Sequence, residues 1–327
     1  SDLLPPSHDR DERVARMAAG LAELNRWLLD RMRGGLADPS LAQYATWDNL
    51  AARLVDARAG SLANRVRRLA GVVGSGPEWH ERVLAEMGML HLLADGGLRL
   101  PSLSPHLADS VAAAVGWQVR QADVLAGVPE SDDWVVMGRS DTREDRIEVR
   151  RWWLRGRASG RWAMLLSFAA FQQRLDDSFE VGTEVDAEIF RYPGVSGLRC
   201  LMGRRAEPAS TSPVGPVGPV GPVSIAEACA QVGTALAAEP WLDRWPVCVV
   251  ATLARYGGRW HLTDGQSSLP IARGDAAVVV ALACTAGALT PITAEWTPDG
   301  LRLLTVHCPD RSVDVGPTAD PSFVGAA

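Results

Sequence analysis

A repeat of proline, valine and glycine interrupts the chain at residues 212–223, where the triplet Pro-Val-Gly occurs three times in succession. Proline has no amide hydrogen to donate, so this segment cannot continue a helix or a central strand. So few triplets also cannot hold a collagen triple helix. The repeat therefore predicts an extended, poorly ordered linker over residues 206–223, which separates folded parts of the chain.

The chain begins with helical periodicity. Between Asp11 and Arg33, apolar residues recur at every third or fourth position, which is typical of an amphipathic helix with one buried face. Four further helices are predicted to begin near Pro39, Ser61, Pro77 and His106. Because the connections between them are short, neighbouring helices are expected to pack antiparallel. Residues 1–126 therefore predict a helical bundle.

Residues 127–205 have the pattern of an antiparallel sheet. Short stretches rich in valine, isoleucine, tryptophan and phenylalanine alternate with turn residues. The predicted strands cover residues 134–138, 147–155, 162–168 and 185–190. Gly160 ends a good hairpin connection between the second and third strands, because glycine tolerates the positive φ of a tight turn. This region predicts a β-rich domain.

Residues 224–327 predict a third domain, which combines a helix with strands. Ser224 and Glu227 stand at the two positions of a capping box, so a helix is expected from Ser224 to Ala238. Strands are predicted at residues 247–253, 259–262, 277–284, 292–296 and 301–306. The fold class is therefore expected to be α+β, with an N-terminal helical bundle, an antiparallel β-rich middle domain and a C-terminal α+β domain after the Pro-Val-Gly linker.

Composition favours a cytoplasmic protein without a membrane segment. Hydrophobic residues make up 47% of the chain and charged residues 22%, an ordinary globular balance. No apolar run reaches the roughly 18 residues that a membrane-spanning helix needs, and the first residues have no pattern of a secretion signal. The five cysteines are scattered without a Cys-x-x-Cys pair, which favours reduced thiols in a cytoplasm.

The familiar catalytic and metal-binding motifs are absent from the sequence, including the Gly-x-Ser-x-Gly elbow, the Walker loop, the Rossmann glycines and His-Glu-x-x-His. His80 and His91 lie in one helical region, and with Glu81 or Glu86 they are the strongest candidates for a metal site. Ordinary helix histidines are the commoner explanation of such a placement.

Two pairs of adjacent aspartates, Asp132-Asp133 and Asp176-Asp177, are the candidates for acid–base chemistry. Both pairs lie in turn-like polar stretches, where aspartate is favoured because its side chain bonds to the backbone. We therefore predict no catalytic residue, no metal ligand and no cofactor.

Residues 139–162, which we call the Arg/Trp segment, interleave arginine with tryptophan. The candidates for binding a partner protein or a nucleic acid are Arg139, Arg143, Arg146, Arg150, Arg151, Trp152, Trp153, Arg155, Arg157 and Arg161. Arginine beside exposed aromatic rings clamps phosphates, stacks on bases or anchors an acidic protein surface. The alternative, which is the commoner arrangement, places the tryptophans in the core and pairs the arginines with acids. The acids in question are Asp141, Glu144, Asp145 and Glu148.

Stretches spread over residues 10–205 carry a resemblance to a known family. They include Trp134-Val-Val-Met-Gly138, Arg150-Arg-Trp-Trp-Leu154, Ser159-Gly-Arg-Trp-Ala-Met164, Phe190-Arg-Tyr-Pro193 and Ala85-Glu-Met-Gly-Met-Leu-His-Leu-Leu93. In these stretches the chain resembles the region downstream of the zinc finger in bacterial, actinobacterial-type SWIM zinc-finger proteins. The residues after the linker have no counterpart in this resemblance.

The resemblance implies recognition of a partner rather than catalysis. The family's Cys-x-Cys…Cys-x-His zinc site does not occur in this chain, so the resemblance implies that the finger precedes Ser1. It also implies association with MoxR-type AAA+ ATPases and von Willebrand A-domain proteins.

The preferred interpretation is a non-enzymatic protein-interaction or scaffold module whose contact surface is the Arg/Trp segment. Charge reversal at Arg150 and Arg151 is then expected to weaken partner capture without unfolding the protein. A nucleic-acid-binding protein that uses the same segment is one alternative, although the net charge of −6 is a weak argument against it. An enzyme of unknown chemistry is the other.

Overall fold

The computed structural model describes residues 7–144, 147–170, 173–206 and 218–318. The described residues belong to two compact units. The first holds residues up to 120 together with Pro193–Val195, and the second holds 121–192 together with the residues from 196 onward. The predicted division into domains at 1–126, 127–205 and 224–327 concerns which segments fold independently, and it stays a prediction.

The first unit is built from helices. They are α1 (Ser7–Gly34), α2 (Tyr44–Asp56), α3 (Gly60–Ala70), α4 (Trp79–Leu98) and α5 (Pro105–Val115), with short 3₁₀ turns at Pro39–Ala42 and Leu100–Ser102. Helix α1 packs against α4 and α2, and α5 packs against α3 and α4. The predicted helical bundle is confirmed.

The periodicity of α1 places one row of side chains in the interior of the bundle. Met17, Leu21, Leu24 and Leu28 are almost fully buried. Gly20 lies on the same helix, and a Cβ added to it would lie 2.3 Å from the Cβ of Ala57 at the end of α2. The absence of a side chain at this position therefore lets the two helices approach closely.

The start of the second helix differs from the prediction. Pro39 opens a 3₁₀ turn rather than α2, and the Asp38 carboxylate accepts a hydrogen bond from the Ser40 amide at 2.9 Å. Gln43 then has extended dihedral angles, so α2 begins at Tyr44. The side-chain cap fixes a tight turn here before the chain can enter the helix.

The second unit begins with a short helix and a five-stranded antiparallel sheet. The elements are α6 (Gln121–Leu125), β1 (Glu130–Glu144), β2 (Ile147–Gly156), β3 (Trp162–Ala169), β4 (Glu184–Arg191) and β5 (Cys200–Arg205). The strand order is β3-β2-β1-β4-β5, and a bridge between Met164 and Arg199 brings the two edges together. The sheet thus curls around a core that includes Trp134, Trp152 and Ile189. The sequence pattern did not predict β5.

Both faces of this sheet are buried. Trp152 points into the core of the curled sheet, whereas Trp153 belongs to a second core on its other face. In the neighbouring strand, Val136 lies opposite Leu154 and Gly138 lies opposite Trp153. The residue between Val136 and Gly138 is therefore a β-bulge.

A second, six-stranded sheet and two helices complete this unit. The elements are α7 (Ile225–Ala238), β6 (Trp245–Tyr256), β7 (Arg259–Thr263), β8 (Ser268–Pro270), α8 (Ala277–Thr285), β9 (Thr290–Thr297), β10 (Gly300–His307) and β11 (Ser312–Asp314), with strand order β11-β10-β9-β6-β7-β8. The capping box of α7 is confirmed, because the Ser224 hydroxyl accepts from the Glu227 amide at 3.2 Å and the Ser224 amide donates to the Glu227 carboxylate at 2.9 Å.

The prediction of a strand at residues 277–284 was wrong, because they form α8. Asp275 precedes the helix, and its carboxylate accepts hydrogen bonds from the amides of Ala277 and Leu303, both at 3.0 Å. Ala286 ends the helix in the left-handed conformation. A short apolar run has no periodicity that separates helix from strand, so the sequence pattern alone does not decide between them.

The second unit has three layers. Helices α7 and α8 cover one face of the six-stranded sheet, where Ile292 and Ala294 are buried. Its other face packs against the five-stranded sheet, and Cys248 and Leu304 share a core there with Trp153. Together with the bundle, this arrangement confirms the predicted α+β fold class.

The end of the predicted linker is tied to both sheets. The Val223 amide donates to the Cys248 carbonyl at 2.9 Å, and the Val250 amide donates to the Val223 carbonyl at 3.1 Å. The guanidinium of Arg155 donates to the carbonyls of Val220 and Gly221 at 3.0 and 2.9 Å. These contacts differ from the prediction of a poorly ordered linker. Residues 207–217 lie outside the described residues.

Candidate functional site

The candidate residues of the Arg/Trp segment divide by exposure. Four of them are buried: Arg150, Arg151, Trp152 and Trp153. Two are partly buried, Arg139 and Arg155, and three are exposed, Arg143, Arg157 and Arg161. Arg146 lies outside the described residues. The segment therefore does not form one continuous outer surface.

A network of charges surrounds Arg150, whose side chain is 11% exposed. Its guanidinium donates to both carboxylate oxygens of Asp141 at 2.8 and 2.9 Å and also contacts Asp177. Asp141 also accepts from Arg139 at 2.8 Å, and Arg139 donates to Asp314 at 2.9 Å. The hydrogen bonds to Asp141 raise the pKa of Arg150 although burial acts against this. These side chains join β1, β2 and β11, so charge reversal at Arg150 is expected to destabilise the fold.

A buried carboxylate lies between the two sheets. Glu295 of β9 has no exposed side-chain surface. Its Oε1 accepts from the Ser140 hydroxyl at 2.6 Å and from the indole N–H of Trp153 at 2.7 Å. Arg244 Nη1 lies 3.5 Å from the other carboxylate oxygen. Since a buried carboxylate costs free energy unless donors satisfy it, these four residues, which we call the inter-sheet polar cluster, link the two sheets.

A buried imidazole lies on the neighbouring strand. His307 Nε2 is 2.9 Å from Thr293 Oγ1, and its Nδ1 is 2.9 Å from Ser312 Oγ. Burial lowers the pKa of His307 to about 4, so the ring is neutral at pH 7. Ser140 donates its hydroxyl to Glu295, whereas His307 bonds to Thr293 and Ser312. These groups therefore do not have the order of a nucleophile–base–acid relay.

Arg157 and Arg161 flank the turn between β2 and β3, and their side chains are 46% and 55% exposed. Arg157 contacts Glu184, and Arg161 donates to Glu130 at 2.9 Å. Glu130 also accepts from Arg191 at 2.7 Å. Arginine–acid pairs are thus present, as one interpretation of the sequence predicts, and Asp141 is one of the acids that it names. Glu184 and Glu130, which pair with Arg157 and Arg161, are not among them and come from other strands.

Two of the four aspartates that are candidates for acid–base chemistry, Asp132 and Asp176, support turns. The Asp132 carboxylate accepts from the amides of Ala158 and Ser159 at 3.0 and 2.9 Å. Burial raises the pKa of Asp132, but these hydrogen bonds outweigh it and hold the pKa below its usual value. The Asp176 carboxylate accepts from the Ser178 amide at 2.9 Å. Asp132 therefore fixes the β2–β3 hairpin that carries the exposed arginines.

The histidines that were candidates for a metal site lie apart on α4. His80 is exposed and stacks on Trp79 with ring centroids 3.7 Å apart, while His91 Nδ1 lies 2.9 Å from Asn25 Oδ1. Eleven residues of helix separate the two by roughly 16 Å. In the part of the chain that the structure describes, no group of three or more His, Cys, Asp or Glu side chains could hold a metal ion. Among the same residues, none of the helices has the length and apolar character needed to cross a membrane.

The sequence did not indicate the role of Glu295 or Thr293. In β9 these two residues alternate with Ile292 and Ala294, which is the pattern of a strand with one face in solvent. The structure instead covers the polar face with the five-stranded sheet. Because the bond between Glu295 and Ser140 joins residues far apart in sequence, no local pattern encodes it.

Comparison with known proteins gives one similarity. Residues 12–115 match the family model described as a SWIM-associated four-helix bundle domain. No curated protein and no solved structure matches the chain. The matched residues cover α2 to α5 and most of α1. They include the stretch from Ala85 to Leu93, which carries part of the resemblance to the SWIM family described in the sequence analysis. In its helical unit the chain is therefore similar to SWIM-associated proteins, which supports a SWIM-related family.

Proposed function

We propose that this chain is a non-enzymatic protein-interaction module of a bacterial cytoplasm. Its partners are a MoxR-type AAA+ ATPase and a von Willebrand A-domain protein, for which it acts as an accessory or scaffold factor. The similarity of residues 12–115 to a SWIM-associated domain supports the class of function. The identity of the partners follows from the SWIM family that the sequence resembles.

The observation that carries the choice of a protein partner is the pairing of exposed arginines with carboxylates. Arg157 lies against Glu184, and Arg161 lies against Glu130. A surface of matched charges has little net positive field, whereas a nucleic-acid surface needs an excess of cations to neutralise phosphates. The same mixture of donors and acceptors suits a protein surface that also carries both signs of charge.

The buried polar groups support a structural role rather than catalysis. The Glu295 carboxylate accepts hydrogen bonds from Ser140 and Trp153. Both ring nitrogens of His307 are hydrogen-bonded to hydroxyl groups. A general base must reach a proton of the substrate, so a buried ring with both nitrogens bonded is poorly placed for that role.

The proposed contact surface is the β2–β3 hairpin with Arg157 and Arg161 at its ends. Arginine is enriched among the residues that dominate protein interfaces, because its fork makes several hydrogen bonds at once. The hairpin is held rigid by the bonds between Asp132 and the turn amides. Rigid presentation reduces the entropy lost on binding.

The test measures binding of the full chain to a purified MoxR-type ATPase from the same host. The double variant Arg157→Glu/Arg161→Glu is expected to bind at least about tenfold more weakly than the wild type. The control is Arg204→Glu, which reverses another exposed, ion-paired arginine on β5 of the same sheet. Unchanged affinity of the double variant, or no binding by the wild-type chain, would contradict the proposal.

The same preparations distinguish the nucleic-acid alternative. A gel shift with DNA or RNA at low salt, which disappears steeply as salt is added, would favour nucleic-acid binding over the protein partner. We expect no shift.

A further inference from the structure

The last residues of the Pro-Val-Gly repeat, 219–223, which we call the docked linker segment, pack against the second unit through two valines. Val220 packs against the core between the two sheets. Val223 packs against the core between the six-stranded sheet and its helices. Gly221 and Pro222, which separate the two valines, are exposed. The segment therefore presents its valines to the protein and its glycine and second proline to solvent.

The end of the docked linker segment bonds to the edge of β6 as an added strand does. The Val223 amide donates to the Cys248 carbonyl at 2.9 Å, and the Val250 amide donates to the Val223 carbonyl at 3.1 Å. Val223 thus forms a parallel bridge with Val249. Addition of an extended segment to an exposed strand edge is a common mode of peptide recognition, in which main-chain hydrogen bonds supply affinity and side-chain pockets supply specificity.

Arg155 of β2 supplies further polar contacts. Its guanidinium donates to the carbonyls of Val220 and Gly221 at 3.0 and 2.9 Å. In the described part of the chain, its remaining hydrogen bond goes to the Gly160 carbonyl at 3.0 Å. It also lies over the ring of Trp162, 5.0 Å from the centroid. Because a partly buried guanidinium loses water, it needs acceptors in the protein, and the docked linker segment supplies two of them.

Gly221 makes these contacts selective for sequence. Its φ of +48° lies in the left-handed region, which residues with a side chain rarely adopt. A Cβ added to Gly221 would also lie 3.2 Å from Nη2 of Arg155. Gly218, at the same position of the preceding triplet, lies outside the left-handed region, and a Cβ there would meet open space. The contacts therefore require a glycine after the first valine of the segment Val-Gly-Pro-Val.

We propose that Arg155, Trp162 and the backbone of residues 248–250, which we call the linker site, form a peptide-binding site for extended segments of the sequence Val-Gly-Pro-Val. The docked linker segment fills the site as an internal ligand, and its contacts define the chemistry of the ligand. A segment of this kind in a partner protein binds there when the internal one leaves.

The internal ligand sets how readily a partner segment binds. A ligand on the same chain competes at an effective concentration in the millimolar range, so it weakens the binding of a partner segment without abolishing it. A substitution that loosens the docked linker segment should therefore strengthen binding in trans. The linker site is separate from the contact proposed for Arg157 and Arg161, and its test needs no ATPase.

The first measurement asks whether Gly221 fastens the docked linker segment. In the full chain, Gly221→Ala is expected to raise the hydrogen exchange of the Val250 amide, which donates to Val223, about tenfold, because the strained backbone weakens docking. Gly218→Ala is the matched control and should keep the exchange rate of the wild type. Equal exchange in the two variants would contradict the proposal.

The second measurement titrates the peptide Pro-Val-Gly-Pro-Val, the sequence of residues 219–223, into each full chain and follows the valine methyl signals of the peptide by NMR. Gly221→Ala should bind this peptide about tenfold more tightly than Gly218→Ala, because its own segment competes less. The peptide Pro-Val-Ala-Pro-Val should bind to Gly221→Ala about tenfold more weakly than the glycine peptide, because alanine resists the left-handed φ.

Arg155→Gln, combined with Gly221→Ala, should bind the glycine peptide at least about tenfold more weakly than Gly221→Ala alone. Near-UV circular dichroism checks the fold of each variant, and the comparison of the two peptides does not depend on the Arg155 variant. The proposal is overturned if Gly221→Ala binds the two peptides equally or binds neither. It is also overturned if Gly221→Ala sediments as a dimer that the glycine peptide dissociates, because the occupant would then be a second copy of the chain.

Discussion

In the first unit, which is helical, the buried side chains are almost all apolar, whereas the second unit, which holds both sheets, also buries charged and polar groups. Among the described residues, Ser110 is the buried polar residue of the first unit. The second unit buries several, including Asp141, Arg150, Glu295 and His307. The bundle is thus held mainly by the removal of apolar surface from water, while the two sheets also depend on specific hydrogen bonds between them.

This difference separates two ways of fixing a fold. An apolar interior tolerates exchange of one hydrophobic residue for another of similar volume. A buried carboxylate and its hydrogen-bond donors tolerate few substitutions, because removal of the carboxylate or of a donor leaves the other polar group without a hydrogen bond in a medium of low dielectric constant. Substitutions in the inter-sheet polar cluster should therefore lower the free energy of unfolding most. Substitutions at the helix contacts of the bundle should change it mainly through the volume and shape of the side chain.

The largest effect is expected from Glu295→Ala. The substitution leaves the Ser140 hydroxyl and the Trp153 indole without their acceptor between the sheets, so the free energy of unfolding should fall by about 3–5 kcal/mol. Native-state hydrogen exchange read by mass spectrometry reports the two units separately. The control is Glu23→Ala, which removes an exposed partner of Arg53 in the bundle and should cost under about 1 kcal/mol. Equal effects in the two variants would remove the contrast between the units.

A second effect concerns pH and the second unit alone. The pKa of His307 is lowered to about 4 in the folded protein, whereas the unfolded value is near 6.5. The unfolded state therefore binds a proton first, so this contribution to stability is complete above about pH 6.5 and is lost as the pH falls toward 4. Between pH 7.5 and pH 5 the loss should be about 2 kcal/mol.

The measurement compares urea unfolding of the wild type and His307→Gln at these two pH values. Between pH 7.5 and pH 5, the free energy of unfolding of His307→Gln should fall by about 2 kcal/mol less than that of the wild type. His80→Gln, which changes an exposed histidine of the bundle, should keep the wild-type pH dependence. If all three proteins show the same pH dependence, the buried imidazole does not contribute as described.

The smallest effect tests shape in the bundle. Gly20→Ala places a Cβ 2.3 Å from the Cβ of Ala57, so overpacking should cost about 1–3 kcal/mol, while higher helix propensity returns about 1 kcal/mol. A net loss of about 1 kcal/mol is expected in thermal or urea unfolding. Gly88→Ala on α4 meets open space and should gain up to about 1 kcal/mol. A gain for both variants would mean that the close approach at Gly20 is not needed.

The sequence predicts local features of both units better than it predicts contacts between distant residues. The buried row of Leu21, Leu24 and Leu28 follows from local periodicity, and so does the capping box of Ser224 and Glu227. Local patterns suffice there because helix faces and caps depend on residues three or four apart.

The sequence could not predict the parts that depend on distant partners. The apolar run at residues 277–284 carries no period, so the sequence predicts a strand there, and the contact of Asp275 with Leu303 that holds α8 is long-range. The sequence leaves open whether the tryptophans of the Arg/Trp segment lie on a contact surface or in the core, and the bulge in β1 and the second sheet bury Trp153. Exposure of an arginine is a property of the assembled sheets, so the separation of Arg150 from Arg157 required the structure.

The central claim is that burial separates the fold-determining arginines of the Arg/Trp segment from those available to a partner. The most direct test is the free energy of unfolding of the second unit in Arg150→Ala and Arg157→Ala, measured by hydrogen exchange. Arg150→Ala should lose about 2–4 kcal/mol because Asp141 stays buried with one partner fewer, and Arg157→Ala should lose under about 1 kcal/mol. Similar losses in the two variants would contradict the claim.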